Sequence, residues 1–145
     1  MAVLIVLFGS FGLYRLMGLA GVTMLDSWVV SARVALATMF FFTAASHFTP
    51  MKKDLIAMVP PALPRPDVLV MVTGIAELAG AIGLLLPPTT YWAATGLILL
   101  MIAMLPANIS AARRGVLVRD RPATALWLRV PMQILFIIWA WVVRQ

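Results

Sequence analysis

The sequence contains no cysteine and only one histidine in 145 residues. Without cysteine there is no disulfide framework, no thiolate nucleophile and no CxxC redox pair. With one histidine, an all-protein metal site would rest on carboxylates, and the chain has only five Asp and Glu. Charged residues of both signs make up 11% of the chain, too few to cover a soluble domain of this size. No nucleophile–base pair and no cofactor fingerprint is evident, so no catalytic residue and no metal ligand is assigned.

What the chain has in quantity is hydrocarbon. Hydrophobic residues account for 63% of it, and they are gathered into long runs. This pattern predicts an integral membrane protein folded as one all-α transmembrane helix bundle. Five stretches stand out: Val3–Leu25, Trp28–Phe48, Val68–Leu86, Tyr91–Ala107 and Ala123–Val143. Each approaches the roughly 20 residues that a spanning helix needs. The first has no basic region before it and is broken by Arg15, which favours a retained helix over a signal peptide. A tilted interfacial segment is the alternative.

The net charge of +6 does not predict nucleic-acid binding, because the basic residues form no dense stripe. They sit mostly in two connectors. The segment 49–67 holds Lys52, Lys53 and Arg65, and the segment 110–122 holds Arg113, Arg114, Arg119 and Arg121. The positive-inside rule places both on the cytoplasmic side. Trp28, Trp92, Trp139 and Trp141 then fall at the opposite membrane surface, where amphipathic rings are favoured. Within the first connector, Met51–Val59 reads either as a short interfacial helix or as an ordinary basic loop. Pro60, Pro61, Pro64 and Pro66 then impose a stiff, extended linker.

Glu77 lies in the middle of the third run, and a carboxylate at that depth needs a compensating partner. Thr73, Gly74, Gly80 and Ala81 share its helical face, so it should point into the bundle. On the second run, Arg33, Ala37, Phe40, Ala44 and His47 form a matching stripe. An intramembrane ion pair is expected, with Arg33 the preferred partner of Glu77 and Arg15 the second. Such a pair serves as a structural clasp or as part of a proton or ligand site, and the clasp is the simpler reading. His47 and Asn108 come out at one depth near the basic end. His47 is expected to bond Asn108 or a carbonyl freed by Pro106, or else to face headgroups. Arg129 is expected to snorkel towards the basic connector.

The runs SHFTP (Ser46–Pro50), MVPPALPRP (Met58–Pro66), TGIAELAGAIGLLL (Thr73–Leu86) and PANI (Pro106–Ile109), with Arg33 ahead of them, together resemble the DoxX-like membrane protein family. The HFTP and GxxEL elements are also distantly similar to the animal nicotinic-receptor assembly chaperone. The resemblance covers residues 28–145 and implies a four-helix membrane domain there, with residues 1–25 an added hydrophobic helix. It implies a bacterial cytoplasmic membrane location and points to Arg33, His47, Glu77, Pro106 and Asn108 as positions of interest.

Three functions compete on these grounds. The first is a non-enzymatic accessory or assembly subunit of a membrane complex. The second is a quinone-binding subunit of a membrane oxidoreductase, quinone being the one cofactor the resemblance suggests. The third is a small proton-coupled transporter using Glu77. The expected partners are the lipid bilayer and either further copies of this chain or other membrane subunits, with no nucleic acid.

Overall fold

In a computed structural model describing residues 2–145, every apolar run becomes a helix. Helix α1 is Ala2–Leu19, α2 is Trp28–Ser46, α3 is Lys52–Met58, α4 is Pro66–Leu85, α5 is Thr90–Arg114 and α6 is Leu126–Val143. Five of these, all but α3, are long and apolar enough to cross a membrane. The protein is an all-α bundle of the multi-pass membrane type.

Helices α2, α4, α5 and α6 pack as a closed ring, and α1 lies against the outside of α2. The core is aliphatic and tight. Leu7, Leu36, Leu84 and Leu97 are at most 1% exposed, joined by Phe40, Ala35, Ala81 and Ala140. Ile5, Leu19, Leu99, Ile102 and Ile138 point outward instead. A surface this greasy suits acyl chains and not water.

The two ends differ in chemistry. Trp28, Trp92, Trp139 and Trp141 gather at one end, while the Lys and Arg of both connectors gather at the other. The first connector does form a helix, α3, with Met58 buried beneath it. Helix α4 opens with Pro66 at its first position, where a missing N–H costs nothing.

The second connector departs from expectation. Helix α5 runs past Ala107 to Arg114, because Pro106 removes one backbone donor without ending the turn. It stops at Gly115, whose φ of 64° is the left-handed cap that glycine accepts without strain. Strands β1 (Leu117–Val118) and β2 (Arg121–Pro122) then pair as a tiny antiparallel hairpin. Its two turn residues, Arg119 (φ 53°) and Asp120 (φ 59°), are both left-handed, as a type I′ turn demands. Neither is glycine or asparagine, so the turn carried no sequence signal.

These two connectors are fastened to each other. Arg114 Nη2 donates to the carbonyls of Ala57, Met58 and Val59 at 2.9, 3.0 and 3.0 Å, closing the open end of α3. The backbone N–H of Arg119 donates to the Asp54 carboxylate at 3.0 Å. Replacing Arg114 with Gln should therefore speed amide exchange in α3 by about tenfold, since hydrogen bonds to charged groups contribute roughly 1.5–3 kcal/mol. Exchange in the five long helices should stay unchanged, and hydrogen–deuterium exchange mass spectrometry in detergent reads both.

Candidate functional site

Glu77 is 4% exposed and His47 7% exposed, so both titratable groups are buried in the bundle. The stripe on α2 does face inward, with Ala37, Phe40 and Ala44 buried beside His47. The carboxylate of Glu77 accepts a hydrogen bond from Thr43 Oγ1 at 2.7 Å. Its other oxygen lies 3.6 Å from His47 Nε2, within ion-pair distance. His47 Nδ1 sits 2.7 Å from the Val70 carbonyl. A carbonyl can only accept, so Nδ1 carries a proton. The other ring nitrogen of His47, Nε2, is the one that faces the Glu77 carboxyl group.

Glycine makes this contact reachable. A Cβ on Gly74 would lie 2.5 Å from His47 Cβ, so any larger residue would drive α4 from α2. The small residues flanking Glu77 are thus what lets the imidazole rest on α4.

The expected arginine partners are elsewhere, which corrects the sequence reading. Arg33 donates from Nη2 to the Gln145 carbonyl at 2.8 Å and from Nε to the Val143 carbonyl at 3.3 Å. It thereby covers the end of α6. The reason is axial offset: Arg33 precedes Thr43, the residue level with Glu77, by ten positions, which is ~15 Å of helix. Arg15 is also at the tryptophan end. It donates to the Leu25 carbonyl at 3.1 Å, and its guanidinium stacks 4.4 Å above the Trp28 ring.

A second polar group faces the first. Arg129 Nη2 donates to Asn108 Oδ1 at 2.6 Å, and Asn108 Nδ2 donates to Gln133 Oε1 at 3.4 Å. Gln133 Nε2 in turn reaches the Met101 carbonyl. Arg129 therefore turns into the bundle and does not snorkel outward. His47 and Asn108 make no direct bond, since His47 is held by Val70 and Glu77. Thr43, Arg129 and Gln133 were missed as site residues. Thr43 lies one turn before His47, and Gln133 one turn after Arg129, so helical spacing held the signal.

Both groups line one space. A cavity of about 450 Å³ at the basic end is bounded by His47, Thr43, Glu77, Asn108 and Arg129, with Leu55 of α3 and Val118 of the hairpin closing it. A neighbouring cavity of about 190 Å³ shares Thr43, Glu77, Asn108 and Arg129 and extends between Phe40, Met101 and Phe136. Among the described residues, no carboxylate lies within ion-pair distance of Arg129. The space thus has apolar walls, the His47–Glu77 pair on one side and a guanidinium with no carboxylate within ion-pair distance on the other. Such a mix of apolar lining and few convergent polar groups is typical of small-molecule sites.

Removing one partner from a buried polar group costs about 1–3 kcal/mol. Glu77→Ala should lower unfolding stability in detergent by about that much, and Glu77→Gln by less, because an amide still accepts from Thr43. A double-mutant cycle of Glu77→Gln with Thr43→Val, read by denaturant unfolding, should show a coupling that Glu77→Gln with Arg33→Gln lacks.

A family model described as a domain of unknown function (DUF8561) matches residues 36–144. The match starts within α2, ends just past α6 and leaves α1 outside. No curated protein and no solved structure matches the chain.

Proposed function

The chain belongs to the DUF8561 family of unknown function, and from that premise we propose that it is a non-enzymatic, ligand-holding subunit of a membrane assembly. Its cavity takes the head of a lipid-soluble carbonyl compound, with quinones the class that fits best. This reading joins the accessory-subunit and quinone-linked expectations, and the DoxX-like resemblance of its motifs supports it.

The single observation that carries the proposal is the two-sided cavity. Arg129, steadied by Asn108, offers a donor to one ring oxygen, and the His47–Glu77 pair faces the other as a second polar group. Phe40, Met101 and Phe136 supply flat and pliable apolar walls for the ring. The chain contributes binding and orientation, and electrons come from a donor in a partner subunit. The exposed apolar helix faces contact that subunit or further copies of the chain. The connectors 49–67 and 110–122 lie in the cytoplasm of a bacterial cell, so the cavity opens towards the inner leaflet.

The transporter reading is weaker. Beyond Glu77, towards the tryptophan end, Leu36, Leu84 and Leu97 are at most 1% exposed and fill the bundle axis. That packing favours a closed bundle over a conduit.

Titrating the purified protein with decylubiquinone, by calorimetry in detergent, tests the proposal. Binding should saturate at one site. Arg129→Leu and Glu77→Gln should each weaken it by about tenfold, the effect of losing a charge-assisted hydrogen bond. Absence of binding, or binding untouched by both substitutions, would sink the quinone assignment.

A further inference from the structure

Arg129 stands in the first turns of α6, close to the basic end of the bundle. Its stem is long enough to carry the guanidinium out to the headgroups, where water would solvate it. The amino-terminal end of a helix carries partial positive charge, which disfavours a cation beside it. The guanidinium nevertheless lies inward, and Arg129 lines both cavities. No carboxylate among the described residues lies close enough to draw it there. Neutral groups hold it instead.

The holder is a line of hydrogen bonds that passes back and forth between α6 and α5. Arg129 Nη2 donates to Asn108 Oδ1 at 2.6 Å, Asn108 Nδ2 donates to Gln133 Oε1 at 3.4 Å, and Gln133 Nε2 donates to the Met101 carbonyl. The two ends leave no choice of direction. A guanidinium can only donate, and a carbonyl can only accept. Each amide between them therefore has one orientation that satisfies both neighbours, with its oxygen towards the Arg129 end and its nitrogen towards Met101. Gln133 is buried, and its anchor is the backbone of α5.

Asn108 alone would be a poor anchor. Without Gln133, its amide nitrogen loses the one partner it has among the described residues. An unmet donor in an apolar space turns towards another carbonyl. The amide oxygen turns with it, and Arg129 loses the one hydrogen bond it makes among the described residues. We propose that Gln133 is a positioning residue: acting through Asn108, it sets Arg129 towards the cavities and away from the headgroups. The arrangement itself needs no ligand, and only its effect on affinity rests on the ligand-holding reading.

Nitrogen-15 NMR of arginine-labelled protein in nanodiscs, with no added ligand, tests this. A held guanidinium rotates slowly about its Nε–Cζ bond and shows separate Nη resonances, whereas a solvated one averages them. The Arg129 signal is the one that Arg129→Lys removes. It should be resolved in the unaltered chain and averaged in Gln133→Met, which keeps the side-chain length. Asn108→Asp should restore it in the Gln133→Met background, because a carboxylate holds a guanidinium by charge and needs no second amide to aim it. A Gln133 that only filled space would not be bypassed in this way. Circular dichroism checks the fold, and Gln133→Leu is read if Gln133→Met loses helicity. An averaged signal in the unaltered chain would overturn the proposal, as would a resolved signal in the folded Gln133 variant or a failed restoration by Asn108→Asp. Decylubiquinone titration is the second arm. Gln133→Met should weaken binding by about fivefold, the effect of one lost hydrogen bond, and should add nothing in the Arg129→Leu background. Additive losses would count against the positioning role. If decylubiquinone fails to bind while the Arg129 signals behave as expected, the quinone assignment falls and the positioning role stands.

Discussion

The structure depends on keeping one carboxylate out of hydrocarbon. Glu77 sits near the middle of α4, where an isolated charge would be strongly disfavoured. It is tolerated because α2 brings Thr43 and His47 to it, and α2 can approach because Gly74 has no side chain. That contact fixes the rotation of both helices. It aligns the α2 stripe with the α4 face, and the remaining ring members close around them. Buried ionic contacts of this sort contribute little net stability but specify one packing among many. An apolar replacement of the whole set would still bury well and would specify less.

The polar side chains divide into three tiers with different chemistry. At the basic end, solvent-facing lysines and arginines act through their charge, and Arg114 also acts as a cap for α3. In the middle tier, His47, Glu77, Asn108 and Arg129 face one another across an apolar-walled space. At the tryptophan end, arginines stack on aromatic rings and cover helix-terminal carbonyls. Only the middle tier brings opposite charges together without pairing all of them. That incompleteness separates it from a simple helix clasp, and it is the basis for reading it as a site.

Much of this was legible in the sequence, because the signals were local. The five apolar runs became α1, α2, α4, α5 and α6, since run length and hydropathy decide a spanning helix. The inward stripe from Ala37 to His47 was legible because helical periodicity places residues on faces. The partner of Glu77 was not. Charge argued for Arg33 or Arg15, but which residues meet is set by how far one helix slides along another, a tertiary quantity. Arg129 was misread because its closeness to the basic connector hid its alignment with Gln133 on α6. The hairpin was invisible because Arg119 and Asp120 adopt left-handed backbone angles that their side chains do not advertise. The extension of α5 past Pro106 was missed because a proline costs a helix one bond and not always its continuity.

The fastening of α3 to the hairpin has a mechanical corollary. Arg114 grips the carbonyl end of the one, and Asp54 grips the backbone of the other. Residues of both form part of the wall over the polar chamber. Displacing either one alone would break those links, so the two pieces of that wall are mechanically coupled.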